Sequence, residues 1–322
     1  MNQSNDIVIK TKDLSKSYKT VDALKSLNLE VKKNSIFGFL GPNGAGKTTA
    51  IKCLLGLIHP TNGSGEIFGH DIVQESIAIR RRIGYLPQDP RFYEYMTARE
   101  TLDFTARFFF SGPEVEIIKR VEETLELVGL AEKADRPIKT FSGGERQRLG
   151  IGQAQVNYPD LLILDEPAAS LDPLGRRDVL DVMERLRKYA TVFYSTHILD
   201  DVQRVSDTVA ILNNGEMITH GAIDELLAGS EGAAYIIKIK GDVKSAQERI
   251  VDQPWVTQIQ AVDQNGETSL TVSVNDPEAA EARLARLLLA DEHLILAELK
   301  RKTYELEEVF MDIIEGDKNV GQ

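Results

Sequence analysis

The segment SIFGFLGPNGAGKTT, residues Ser35 to Thr49, decides the fold. It begins as a short apolar run of strand length and leads into TAIKCLLGLI, Thr49 to Ile58, whose apolar spacing is helical. The loop between them places Gly41, Gly46, Lys47 and Thr48 at the fixed positions of G-x-x-x-x-G-K-[ST]. The loop residues Gly41, Pro42, Asn43, Gly44, Ala45 and Gly46, with Lys47, Thr48 and Thr49, form a phosphate cradle. Glycines let backbone N–H groups approach an anion, Lys47 reaches the outer phosphates of a nucleoside triphosphate, and Thr48 offers a hydroxyl to Mg2+. A strand, such a loop and a helix in this order predict an α/β protein with a mostly parallel sheet.

The sequence around this unit supports that reading. Apolar strands are expected at RRIGYLPQ (81–88), LLILDEP (161–167), TVFYSTH (191–197) and TVAILNNG (208–215). Helical patterns at GRRDVLDVMERLRKY (175–189) and ILDDVQRVS (198–206) separate the last three. Ahead of the loop, DIVIKTKDLSKSY (6–18) and ALKSLNLEV (23–31) alternate as half-buried strands of an antiparallel subdomain. From about 90 to 158 the pattern is helical, an insertion into the sheet. Open α/β sheets bind ligands at the C-terminal ends of their strands, so the acids ending LLILDEP stand where a phosphate site needs them. Asp165 would hold the metal through water, and Glu166 would polarise an attacking water. His197 also ends a strand on that edge, where it is either a solvated loop residue or a phosphate contact. Locally, Gln88 reads as a turn residue between Pro87 and Pro90, and Tyr18 as a strand aromatic.

A change of pattern near Gly229 divides the chain into 1–228 and 229–322. The second part reads strand, helix, hairpin, helix, strand: AYIIKIKG, VKSAQERIVDQ, WVTQIQAVDQNGETSLTVSV turning at Asn265-Gly266, PEAAEARLARLLLADE and LILAELKR. That order predicts a small ferredoxin-like α+β domain. A final helix is expected at ELEEVFMDIIEG, with Leu306, Val309, Phe310 and Ile313 on one face. The 322 residues suit about two domains. One cysteine, Cys53, excludes an internal disulfide, and the usage fits a reducing compartment. No apolar run approaches a membrane span and the start carries no signal-peptide pattern, so a cytoplasmic chain without direct membrane insertion is expected. A net charge of −12 argues against nucleic acid and against adsorption to anionic lipid, and also keeps the chain soluble.

A second glycine stretch, TFSGGERQRLG (140–150), has the composition of another helix-start anion site. With it the set of motifs becomes specific. Residues 6 to about 228 resemble the ATP-binding subunit of an ABC transporter, a P-loop NTPase. Ser142-Gly143-Gly144 matches the core of that family's signature sequence, Gln88 its glutamine loop, Asp172 in SLDP its D-loop, His197 its switch histidine and Tyr18 the aromatic that stacks on adenine. The resemblance implies ATP and Mg2+, with Thr48, Gln88 and Asp165 at the metal and Glu166, His197 and Gln88 at the reaction. It also implies a head-to-tail homodimer, or a heterodimer with a related ATPase, in which Phe141, Ser142, Gly143, Gly144 and Glu145 face the partner's nucleotide. Phe141 and Glu145 depart from the usual Leu and Gln, and Ala168-Ala169 follow Glu166-Pro167 where the family often has threonine. Glu145 in the first turn favours the helix dipole and is expected to face a ribose hydroxyl or water.

RFYEYMTARETLDFTARFFF (91–110) holds five phenylalanines and two tyrosines. Core packing of the helical subdomain is the expectation for most of them. In the family this subdomain also receives a cytoplasmic helix of a separate membrane permease, and aromatics beside charges suit such an interface. TYELEEVFMDIIEG resembles the end of export-type ABC ATPases serving drug, antibiotic or lipid exporters. Peripheral attachment to the cytoplasmic face of the membrane through the permease follows. The alternative is a soluble ABC ATPase acting on ribosomes, DNA or cluster assembly. A single ATPase unit, the absence of a long coiled-coil insertion and the acidic balance all argue against it.

Overall fold

Three runs, Ile36–Leu40, Leu161–Asp165 and Thr191–Thr196, are buried along their whole length, as strands covered on both faces must be. They lie side by side in the computed structural model of the chain, which describes residues 6–227, 233–241, 243–264, 267–290 and 294–302. The chain divides into two compact units, Met1–Ile223 and Asp224–Gln322. In chain order the first contains β1 (Ile7–Tyr18), β2 (Val21–Leu27), β3 (Glu30–Lys32), β4 (Ile36–Leu40), α1 (Lys47–Leu54), β5 (Asn62–Ile67), β6 (His70–Asp71), α2 (Ser76–Arg80) and β7 (Ile83–Leu86). It continues with α3 (Ala98–Phe109), α4 (Glu114–Leu127), α5 (Gly143–Gln155), β8 (Leu161–Asp165), α6 (Pro173–Leu186), β9 (Thr191–Thr196), α7 (Leu199–Val205), β10 (Thr208–Asn213) and β11 (Glu216–Ala222).

The strand order is β11-β10-β4-β9-β8-β7, and every pair is parallel except β10–β11. Leu40 pairs with Thr196 and Asp165 with Ser195, so β4, β8 and β9 end together at one edge. A second, antiparallel sheet runs β2-β1-β5-β6, with β3 also on β1. One buried cluster takes Ile9, Leu14 and Leu27 from this sheet, Ile51 and Leu54 from α1, and Phe39 and Phe193 from the parallel sheet. Cys53 lies in the same cluster. The pattern of residues 23–31 predicts one strand, but the structure breaks it between β2 and β3. The β5–β6 hairpin and β11 have no apolar alternation in their sequence, because NGSGEI and EMITHGA carry few apolar residues on one face.

The helical insertion is α3, α4 and α5. Thr97 and Glu100 close a capping box at the start of α3, which buries Ala98, Thr101, Leu102 and Ala106 on one face. The aromatics of 91–110 depart from the core-packing expectation. Tyr93 and Tyr95, ahead of α3, are exposed, and so are Phe104, Phe108 and Phe109, because Ala98, Thr101, Leu102 and Ala106 occupy the buried stripe of the helix.

The second unit contains β12 (Ala233–Lys240), α9 (Val243–Val251), β13 (Val256–Gln264), β14 (Glu267–Val274), α10 (Pro277–Leu289) and β15 (Ile295–Lys302), preceded by the single turn α8 (Ile223–Leu227) at the division. Its antiparallel sheet has the order β13-β14-β12-β15, the ferredoxin-like arrangement. Ile237, Ile250, Trp255, Leu270, Leu284 and Leu288 are buried in a core of its own. Asp276 caps α10 by accepting from Ala279 N, and Pro277 follows at the first helical position. The Asn265-Gly266 turn, the Gly229 boundary and the final helix with Leu306, Val309, Phe310 and Ile313 lie outside the described residues.

Candidate nucleotide-binding site

The first turn of α1 offers its N–H groups without competition. Its N-cap is Gly46, which supplies no capping side chain, and no acid stands in the first turn. Gly46 has φ +105°, and a Cβ there would meet Ala23 O at 2.3 Å, so only glycine fits. Lys47 is buried; its Nζ donates to Gly41 O at 2.6 Å and Pro42 O at 3.2 Å, and pairs with Glu166 Oε1 at 3.1 Å.

The carboxylates come from the end of β8. Asp165, 1% exposed, accepts from Ser195 Oγ at 2.6 Å and from Thr48 Oγ1 at 3.3 Å. Glu166 takes a left-handed backbone, φ +52°, at a cost of about 1 kcal/mol. Its N–H donates to Ser195 Oγ at 2.9 Å and lies 3.2 Å from Ser195 O. Glu166 Oε2 meets His197 Nδ1 at 2.9 Å, so both carboxylate oxygens have partners. Ser195 therefore orients both acids, a role the motif reading missed. The available signal was its place two residues before His197, in the strand paired with β8.

These groups surround a cavity of about 340 Å³ lined by Ala23, Asn43 to Thr49, Gln88 and Glu166. The structure thus gathers the phosphate loop, Gln88, Asp165, Glu166 and His197 at one sheet edge. Tyr18 is not among the cavity-lining residues; the residue is 46% exposed and its ring lies beneath Lys16 Nζ at 5.1 Å. Phe141 to Glu145 and Asp172 do not line the cavity either.

Those residues belong to helix starts of their own. Ser142 caps α5: its hydroxyl accepts from Glu145 N at 3.3 Å, while Glu145 Oε2 accepts from Ser142 N at 2.8 Å. The other carboxylate oxygen, Oε1, pairs with Lys133 Nζ at 2.5 Å. Burial pushes the Glu145 carboxyl up, but the bonds from Lys133 and Ser142 outweigh it and hold it below the ordinary range. The carboxylate expected to face a ribose hydroxyl or water is instead turned into the helix cap and toward Lys133. The box leaves Gly143 N–H and Gly144 N–H without acceptors inside the helix. Gly144 packs against α6, where a Cβ would stand 3.0 Å from Gly175 Cα. Asp172 caps α6 by accepting from Gly175 N at 2.9 Å.

A phosphate loop opposite two strand-end acids defines an α/β nucleoside-triphosphate site. The family profile described as ABC transporter matches residues 24–169. The uncharacterized ABC transporter ATP-binding protein YxlF of Bacillus subtilis is 37% identical over 95% of this chain and 99% of its own length. The daunorubicin/doxorubicin resistance ATP-binding protein DrrA of Streptomyces peucetius is 32% identical over 97% of this chain and 93% of its own. Among solved structures, the dimeric ATP-binding cassette MJ0796 with bound ADP and Pi superposes with a TM-score of 0.60 at 27% identity, covering 67% of this chain and 98% of that one. The chain therefore belongs to the ABC transporter family as an ATP-binding subunit, and its activity is ATP hydrolysis. No helix among the described residues is long and apolar enough to cross a membrane.

Proposed function

We propose that this chain is the ATP-hydrolysing subunit of an exporter, working as a dimer beneath a separate membrane permease on the cytoplasmic face. The observation that carries the dimer is the separation of two complementary helix starts. One opens into the cavity of its own chain. The other, α5, keeps Gly143 and Gly144 N–H groups unspent and does not line that cavity. Presented by a second copy, it would close on the exposed γ-phosphate of ATP held in the cavity, with Tyr18 against the adenine and Asp172 across the dimer seam.

In this reading the triphosphate draws Lys47 from Glu166 to the β- and γ-phosphates. The carboxylate is then free to orient or deprotonate the attacking water, with His197 beside it at the γ-phosphate. The donor set near the phosphates is one hydroxyl, Thr48 Oγ1, one carboxylate, Asp165, and the amide of Gln88. It fits Mg2+, an ion that keeps several waters and takes the rest of its shell from phosphate. Mg2+ bound there would neutralise charge on the β- and γ-phosphate oxygens.

The permease reading rests on a groove of about 390 Å³ whose lining includes Leu86 and Pro87 beside Gln88, Thr105 and Phe109 of α3, and Gly150 of α5. Exposed aromatics beside Arg91, Glu94 and Arg107 suit a short amphipathic helix. A similar protein named for drug resistance is matched over 97% of the chain, and so over most of 229–322, which we assign as an accessory domain. That relation favours export of a drug, antibiotic or lipid.

The test is Glu166→Gln. With ATP and Mg2+ it should elute as a dimer, and phosphate release should fall by about 100-fold or more. A monomer with bound ATP, or unchanged turnover, overturns the reading.

A further inference from the structure

Among the buried acids outside the phosphate cavity, Asp201 stands apart. It is 1% exposed, in the first turn of α7, four residues after His197. Its Oδ1 accepts from Arg176 Nε at 2.6 Å. Arg176 lies in the first turn of α6, and its backbone N–H donates to Asp172 O at 2.9 Å. The pair therefore ties the start of one helix to the start of the other. The loop ahead of α6 carries Asp172 and the loop ahead of α7 carries His197.

A second tie, Arg204 Nη2 to Asp181 Oδ1 at 2.7 Å, joins the same helices at an exposed position. The Asp201 pair differs in burial and in being incomplete. Asp201 Oδ2 is buried and receives no hydrogen bond. Burial pushes its carboxyl up, against the opposing pull of Arg176. Buried carboxylate oxygens are ordinarily satisfied, and guanidinium with carboxylate is strongest as a two-bond fork. A second bond from the Arg176 guanidinium to Oδ2 would complete the fork and tighten the tie between the two helix starts.

We propose that Arg176–Asp201 is a positioning strut that couples the His197 loop to the Asp172 loop, so that closure on γ-phosphate in one site is felt at the partner-facing loop. This rests on the dimer reading above. Neither residue contacts nucleotide; each acts through the loop beside it. The strut shifts from one bond to two as His197 engages phosphate, which draws the first turn of α6 and Asp172 with it.

The test uses the full-length protein. Asp201→Asn should bind ATP as the wild type does, with KM changed by no more than about twofold. Its kcat should fall about tenfold, and its Hill coefficient for ATP should fall toward 1. A pair that only holds the fold would lower Tm and leave kcat per folded molecule and the Hill coefficient unchanged, and that result overturns the proposal. Should Asp201→Asn fail to fold, Arg176→Gln at a partly exposed position carries the same test. The same split is expected there, and unchanged kcat and Hill coefficient again overturn it. The double variant should be no slower than the slower single one, because both remove one strut. If Glu166→Gln dimerises with ATP while the strut variants turn over normally, the strut alone fails. If Glu166→Gln stays monomeric, the dimer reading fails first.

Discussion

The starts of α1 and α5 use similar residues, glycines beside a hydroxyl, and solve opposite problems. At α1 the cap is a glycine with no side chain to offer, no acid follows, and cationic Lys47 lies at the helix start. Its N–H groups are left for a ligand inside the same chain. At α5 a capping box consumes the Ser142 and Glu145 N–H groups and brings a carboxylate into the first turn. Two glycine N–H groups remain, outside the cavity. A helix start built to hold polyphosphate alone carries no carboxylate. In the proposed dimer α5 completes a site that already holds Lys47, and there a carboxylate is tolerated if it is turned aside. Lys133 does this for Glu145.

The comparison breaks most severely at Gly46. Gly46→Ala would put a methyl 2.3 Å from Ala23 O on a backbone at φ +105°, and the loop must deform by more than a side chain can absorb. ATP binding should be lost outright in fluorescent-nucleotide titration; an affinity within about tenfold of wild type would show that the loop is not the phosphate site. Ser142→Arg attacks the other helix start. It should leave ATP binding to the monomer intact while hydrolysis falls by about 100-fold or more. Mixing the two variants sharpens the contrast. A mixed dimer contains one site made from an intact loop and an intact α5, so activity should reappear where neither variant alone has any. No recovery, in a mixture shown to form mixed dimers, would argue that each chain uses its own α5.

Much of this was legible in the sequence because the responsible features are local. The phosphate loop, the Asp165-Glu166 strand end and the glycine helix start each fit within a dozen residues. The sheet pairing that gathers them follows from apolar runs and from ligand sites lying at strand ends. The second unit was legible in its order of elements because each strand alternates and α10 is capped. What escaped depends on partners distant in the chain. Ser195 looks like any strand polar residue until register sets it beside Asp165. Lys133 is an unremarkable lysine until the turn before α5 folds it against Glu145. The exposed phenylalanines of α3 read as core because composition does not say which stripe is buried. That requires the periodicity of Ala98, Thr101, Leu102 and Ala106.

The smallest expected effect bears on how far Glu145 takes part in nucleotide binding. Glutamine at 145 can still accept from Ser142 N–H, so Glu145→Gln keeps the capping box and removes only the charge and its tie to Lys133. ATP affinity and turnover should stay within about twofold of wild type, because the carboxylate is turned away from the face that would meet phosphate. Stability should fall by about 1 kcal/mol at neutral pH. The pH dependence gives the sign. The folded carboxyl lies below the ordinary glutamate range, so ionised Glu145 stabilises the fold at pH above that range. As pH falls through the folded value that contribution is lost, and the gap between wild type and Glu145→Gln in urea melts should close. A gap that widens on acidification would mean that Glu145 is held in its protonated form, and a large change in ATP affinity at neutral pH would return it to the nucleotide.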